Sequence, residues 1–251
     1  MQRWVALPIG FGRRVMSEVA YVAALKREVA PLIKDWRRTQ TAYSGRNFEF
    51  FQNGGTVLVC GGIGAEAARR ATEAVINLHQ PNEVVSVGFV GALDPNLRVG
   101  DISEPAMIVD ARDGSRVQTE RGSGTLVSFS SVAAAGQKKK LARAYSAQTV
   151  DMEAASVARA AQAHGLHFRA LKAVSDELQF SMLPMDHFID ADGQFRAGRL
   201  ALFVALRPVT WATLIRLARN SSIASRALCE RLQSEIGIRK HDGQASAVAR
   251  K

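Results

Sequence analysis

The residue types best suited to chemistry lie in two short acidic segments, Asp151-Met152-Glu153 and Ser175-Asp176. The first stands where an apolar run gives way to a helical pattern. Acidic residues at a helix start commonly serve the helix dipole, but a carboxylate there also accepts two hydrogen bonds at once, which suits the vicinal hydroxyls of a ribose. Glu153 is therefore a candidate for gripping a sugar, and Met152 for an apolar wall beside it. The second segment ends the most strand-like apolar run, Phe168 to Val174. A carboxyl at such a sheet edge is partly desolvated, holds its proton closer to neutrality and can hand it to a leaving base. That makes Asp176 a candidate acid, with helix capping or plain solvation as the competing use.

Two glycine-bearing strand ends accompany them. Gly61-Gly62-Ile63-Gly64 follows an apolar run and precedes a helix, so Gly61, Gly62 and Gly64 are expected to turn backbone N–H groups toward an anion or a sugar hydroxyl. A turn needed for close strand–helix packing is the alternative. Val87-Gly88-Phe89-Val90-Gly91-Ala92 is the second, followed by Asp94-Pro95-Asn96 and by Val99-Gly100-Asp101-Ile102. Ligands of open α/β sheets gather at the carboxyl ends of strands, and two such ends at one crevice leave room for a nucleoside.

The elements that must position these residues alternate strand-like and helical runs, the mark of a layered α/β domain. Strands are expected at Val19–Ala23, Asn47–Gln52, Thr56–Gly61, Glu83–Val90, Asp101–Asp110, Thr125–Phe129 and Phe168–Ser175. Helices are expected at Ala24–Trp36, Ala65–His79, Val132–Tyr145, Met152–His164, Leu200–Ala218 and Ile223–Leu232. Asn53-Gly54-Gly55 signals a tight turn, and Gly165 a helix stop. Leu178 to Asp192 has no sustained period and reads as a lid loop. Residues 1–15 are expected outside the fold, with Met16 a second candidate start of translation. Residues 16–236 then form the catalytic domain, and 237–251 a basic disordered tail.

Composition excludes several classes. The 251 residues carry 47% hydrophobic and 22% charged side chains, ordinary for one globular domain. Cys60 and Cys229 are far apart and lack ligand or redox spacing, so neither a metal site nor a disulfide framework is expected, and a cytoplasmic setting fits best. The net charge of +10 would attract nucleic acid, but aromatic interleaving and any known nucleic-acid motif are missing, so no specific nucleic-acid partner is expected. Arginines recur among apolar stretches toward the carboxyl end, which suggests helices able to rest on the inner face of an anionic membrane.

Taken in order, Gly-Ile-Gly, Val-Gly-x-x-Gly-Ala, Val-Gly-Asp-Ile, Val-Asp-Met-Glu-Ala and Val-Ser-Asp resemble the nucleoside phosphorylase and nucleosidase family. That family includes methylthioadenosine/S-adenosylhomocysteine nucleosidase and hexameric purine nucleoside phosphorylase, and the resemblance runs from about Val19 to Glu177. It implies a three-layer α/β/α fold around a mixed, barrel-like sheet. It implies too that Glu153 binds the ribose hydroxyls, that Met152 lies beneath the sugar, and that Asp176 protonates purine N7, with Ser175 and Phe129 at the base. Ala23 to Val29 resembles the nucleosidase segment whose glutamate activates water, which makes Glu28 a candidate base. Ser86 and Phe89 stand where the phosphorylases bring an arginine and a serine, respectively, to phosphate, so Arg37, Arg38 or Arg46 would have to supply that charge.

The lid resembles that of hopanoid-associated phosphorylases, and Phe180, Met182 and Phe188 would then line a pocket for a large apolar 5′ substituent. The expectation is therefore phosphorolysis of an adenosylhopane-like adenine nucleoside by a homo-oligomer. No cofactor is expected beyond inorganic phosphate as co-substrate. A hydrolytic nucleosidase and a non-catalytic nucleoside-binding module are the alternatives.

Overall fold

A computed structural model describes residues 18–180, 193 and 211–248. Its strands are β1 (Val19–Ala23), β2 (Arg37–Tyr43), β3 (Arg46–Asn53), β4 (Thr56–Cys60), β5 (Glu83–Ala92), β6 (Ile102–Ser103), β7 (Met107–Asp110), β8 (Arg116–Gln118), β9 (Thr125–Ser128), β10 (Thr149–Asp151) and β11 (His167–Asp176). The helices are α1 (Lys26–Ile33), α2 (Ala65–His79), α3 (Ala135–Tyr145), α4 (Ala154–Ala163) and α5 (Trp211–Val248).

The strands form one mixed sheet in the order β2-β3-β4-β1-β5-β10-β9-β7-β8, with β11 on β5 and β6 on β11. All five residues of β1 are buried because both of its faces are covered. Ala20 and Val22 point toward α2 and α4, whereas Val19, Tyr21 and Ala23 point toward α1 and α5. The expected three-layer α/β arrangement is thus present, but the described sheet is not closed: β2 and β8 end its path.

The positioning feature is a fork at β5. One edge of β5 pairs with β1 over Glu83–Ser86 and then with β10 at Gly91 and Ala92, while β11 runs along the other edge. The ends of β10 and β11 therefore flank Gly91. A bulge in β11 leaves Ser175 as the extra residue, with Val174 opposite Val90 and Asp176 opposite Gly91. Bulges of this kind re-aim the side chains around them.

Several boundaries differ from the sequence expectation. Strand β2 was not expected, because Arg37-Arg38-Thr39-Gln40-Thr41 has no buried face; it is an edge strand joined to β3 through Ser44 and Gly45 at positive φ. The short strands β8 and β10 were also not expected. The expected Asp101–Asp110 strand is two, β6 on β11 and β7 on β9, interrupted around Pro105, which has no N–H to give to a ladder. Helix α4 begins at Ala154 rather than Met152: Glu153 stands at the N-cap with a non-helical backbone, and the first helical N–H, that of Ala154, donates to Asp151 Oδ2 at 3.0 Å. Gly165 ends α4 at φ +66, as expected.

The two carboxyl-terminal helices expected from sequence are one. Ala224, Leu228, Leu232 and Ile236 repeat every fourth residue and are buried, and this stripe holds α5 against the sheet. The helix continues through Gly237 to Val248, where a disordered tail was expected. Residues 1–15 and most of the lid lie outside the described residues.

Candidate active site

At the fork lies a cleft lined by Leu25 and Glu28 of the α1 region, Phe89 and Gly91 of β5, Asp151, Met152 and Glu153 after β10, Ser175 and Asp176 of β11, Lys138 of α3, and Leu217 and Ser221 of α5. Sequence positions as distant as 28 and 176 thus face one space.

Glu28 sits in the first turn of α1, yet it is only 6% exposed rather than a solvated helix-start residue. The Leu25 N–H donates to its Oε2 at 3.1 Å. Burial pushes its carboxyl above the ordinary range, opposed by that N–H and by the Lys172 and Arg27 charges. A carboxylate so placed is a better base than a solvated one. Gly88 makes the placement possible, since a Cβ there would meet Glu28 Oε2 at 2.9 Å.

Glu153 is fixed by the backbone. Gly64 N–H donates to Oε1 at 2.7 Å and Met152 N–H to Oε2 at 3.2 Å. Desolvation and the nearby Asp151 carboxylate raise its pKa to about 7, while Lys172 pulls the other way. Asp151 beneath it is fully engaged: Ser128 Oγ donates to Oδ1 at 2.6 Å, and Lys172 Nζ lies 2.9 Å from Oδ2. One buried lysine thus faces three carboxyl groups.

Asp176 is buried at the end of β11. Ser175 Oγ donates to its Oδ1 at 2.8 Å, and Lys138 Nζ is ion-paired with its Oδ2. Gly91 leaves the room for this pair, because a Cβ there would lie 3.0 Å from Asp176 Oδ2 and 3.1 Å from Lys138 Cε.

The Gly61 loop departs from expectation. Gly61 N–H donates to Ala23 O and Gly62 N–H to Ala24 O, both at 2.9 Å; Ile63 N–H donates to Gly193 O at 2.8 Å. With Gly64 committed to Glu153, all four amides of the loop are engaged within the protein. The loop orients a carboxylate instead of presenting amides to an anion. Gly61 itself serves packing, since a Cβ there would come within 2.6 Å of Ala71 Cβ on α2.

Phe129 is partly buried and is not among the described lining residues of the cleft. It packs against the cluster of Leu93, Val109, Val127 and Leu141, while Phe89 lines the cleft. Phe180 is buried under the guanidinium of Arg216, 5.2 Å from its ring centre, and is not among the described lining residues. Met182 and Phe188 lie outside the described residues.

Sequence reasoning missed Lys138, Lys172 and Leu217. Lys172 left a signal: a lysine inside an otherwise apolar buried strand requires a buried acid. Lys138 left none, because it stands in the run Lys138-Lys139-Lys140, which reads as a solvated helix face. Among the described residues no group of three or more His, Cys, Asp or Glu could hold a metal ion.

The sequence profile of the phosphorylase superfamily matches residues 18–135 and 123–196. Over 92 residues, 35% of this chain, the sequence is 35% identical to a 5′-methylthioadenosine/S-adenosylhomocysteine nucleosidase of Marinomonas sp. (strain MWYL1), and the match spans 39% of that relative's length. The structure resembles the apo 5′-methylthioadenosine nucleosidase of Arabidopsis thaliana at a TM-score of 0.68 and 18% identity, over 90% of this chain and 96% of that one. A 5′-methylthioadenosine/S-adenosylhomocysteine nucleosidase of Helicobacter pylori gives 0.66 and 16%, over 89% and 99%. The futalosine hydrolase of Helicobacter pylori gives 0.62 and 16%, over 87% and 98%. At these identities the structural likeness is one of fold.

Proposed function

We propose, on the premise that this chain belongs to the phosphorylase superfamily and is an enzyme of its nucleoside phosphorylase and nucleosidase kind, that it cleaves the N-glycosidic bond of an adenine nucleoside. The carrying observation is the convergence of Glu28, Glu153 and Asp176 on one cleft. In this reading Glu153 accepts hydrogen bonds from the ribose 2′- and 3′-hydroxyls, and Met152 lies under the sugar. Asp176 gives the purine its N7 proton as the C1′–N9 bond lengthens. Positioning and charge stabilisation of the oxocarbenium-like sugar supply most of the acceleration.

In this reading water is the nucleophile, where the sequence expectation was phosphate, and two features of the cleft support it. Glu28 is buried in the cleft with its basicity raised, and the Gly61 loop has no amide left for phosphate. The carboxyl groups of Glu28, Asp151 and Glu153 would also repel a dianion. Phosphorolysis is the second reading, supported by Arg27 in the wall of the cleft.

A large apolar 5′ substituent, adenosylhopane-like in size, is supported by the groove that leaves the cleft past Leu217 and Ser221. It runs between α1 and α5 along Ala30, Pro31, Leu214 and Ala218. Trp211 and Ile215 stand exposed at the start of α5 beside Arg216 and Arg219, a composition suited to an anionic membrane surface. No described helix is long and apolar enough to cross a membrane.

The test incubates the protein with adenosine, methylthioadenosine and a lipid-tailed adenosine, with and without phosphate, and measures adenine, free ribose product and ribose 1-phosphate product. Phosphate-independent adenine release is expected, fastest on the lipid-tailed substrate. Strict phosphate dependence would establish the second reading, and binding without adenine release would leave a nucleoside-binding module.

A further inference from the structure

Lys138 is a buried charge in the wall of the cleft for which the scheme above gives no task. Its neighbours Lys139 and Lys140 on α3 are exposed, whereas Lys138 is 1% exposed and its side chain lines the cleft. An ammonium has three N–H donors and nothing to accept with. Among the described residues its ammonium meets one short segment: the Asp176 carboxylate, Glu177 O at 2.8 Å and Asp176 O at 3.4 Å. With Ser175 Oγ on Oδ1, both oxygens of Asp176 face a donor. The ammonium thus lies directly behind the carboxyl that faces the purine, within reach of the oxygen through which a proton could pass.

We propose that Lys138 is the positioning residue of the reaction: it fixes the Asp176 carboxyl at the cleft and supplies, through that carboxyl, the proton taken up by purine N7. The inference rests on the adenine-nucleoside reading above. As the C1′–N9 bond breaks, its electron pair passes to the purine. One proton moves from Lys138 Nζ to Asp176 and from Asp176 to N7. The purine leaves neutral, Asp176 remains a carboxylate and Lys138 becomes a neutral amine. C1′ receives its new electron pair from water, whose released proton goes to Glu28. Exchange with solvent as product departs returns a proton to Lys138 and removes one from Glu28.

Bare Gly91 belongs to the same device. A Cβ at that position would press on Asp176 Oδ2 and on Lys138 Cε and Nζ together, all within 3.2 Å. The bulge at Ser175 brings Asp176 opposite this glycine.

The test compares Lys138→Met with the unaltered chain on two substrates, an adenine nucleoside and a 4-nitrophenyl riboside, whose phenolate departs without being protonated. Adenine release should fall in kcat by about 100-fold or more, the usual worth of a general acid, with KM little changed, while nitrophenolate release stays nearly constant. If Lys138→Met does not fold, Lys138→Gln, which can still donate to the two carbonyls, carries the same comparison. An equal fall on both substrates would mean a purely structural lysine and overturn the proposal, as would unchanged adenine release. If the unaltered chain releases no adenine, the adenine-nucleoside reading itself fails and the inference falls with it.

Discussion

Glu28 crosses over Gly88 so closely that a Cβ there would lie 2.9 Å from Glu28 Oε2. A bare backbone in the middle of β5 thus holds the candidate base in the cleft. Gly88 also has φ +141, which side-chain-bearing residues rarely adopt. Gly88→Ala is expected to push Glu28 aside and lower turnover about 100-fold, since displacements near 1 Å cost that much. The backbone strain should cost about 1–3 kcal/mol of stability. Steady-state kinetics beside thermal melting would test this, and full activity in the variant would refute the placement of Glu28.

Glu153 links stability to pH. Unfolded, its carboxyl titrates near its ordinary value of 4.5; folded, it keeps its proton to about 7. Between those values the folded state binds the extra proton, so this group's contribution to stability falls as pH rises through the window and stays low above it. Half-buried His79, whose pKa desolvation lowers, acts in the opposite sense below its ordinary 6.5, so the comparison must be between variants. The melting temperature of Glu153→Gln minus that of the unaltered chain should grow from pH 5 to pH 7.5. A constant difference would count against the burial argument.

The same group should shape the rate profile. A ribose grip needs the ionised carboxylate, so kcat/KM is expected to decline as pH drops below about 7, where Glu153 takes up a proton. Because Glu28 and Asp151 interact with it, the apparent value belongs to the cluster. A profile flat down to pH 5 would remove Glu153 from the ribose role.

Asp176→Asn should lower turnover by about 10²–10⁴-fold, the range for loss of a general acid. It also strands Lys138 without a counter-charge, a loss of about 3–5 kcal/mol when one partner of a buried pair is removed. Both kinetics and chemical denaturation are needed. A variant that keeps normal turnover would end the assignment.

Far from the cleft, Arg169 of β11 ties α5 to the sheet, with Nη2 2.7 Å from Glu235 Oε2 and Nε 2.5 Å from Glu83 Oε1. Glu235→Ala is predicted to cost about 3–5 kcal/mol in urea unfolding, because it leaves the buried Arg169 and the adjoining Arg231 short of a carboxylate. If α5 loosens with it, Leu217 and Ser221 shift in the cleft wall and KM rises more than kcat falls. A stability change under 1 kcal/mol would mean that solvent replaces Glu235 at low cost.

Much of the framework was legible in the sequence. Val19–Ala23 and Ala65–His79 were read with their observed limits, because a run of apolar residues and a long helical period each suffice locally. The turn at Gly54 and the stop at Gly165 followed from glycine's freedom at positive φ. What misled was local punctuation that packing overrode. Asn220-Ser221-Ser222 and Gly237 look like breaks, yet the buried stripe of α5 outweighs the first, and the helix runs on through the second.

The pair of segments Asp151-Met152-Glu153 and Ser175-Asp176 was fixed by sequence order alone, since residues adjacent in the chain end the same strand. Which groups face them was decided only in three dimensions. Lys138 becomes buried because α3 carries it over bare Gly91. Lys172 meets Asp151 because β10 and β11 flank the same end of β5, and the Gly61 loop spends its amides on Ala23, Ala24, Gly193 and Glu153. These are contacts between segments as far apart in the chain as Ile63 and Gly193. Their energies depend on burial and distance, which the order of residues along a chain does not contain.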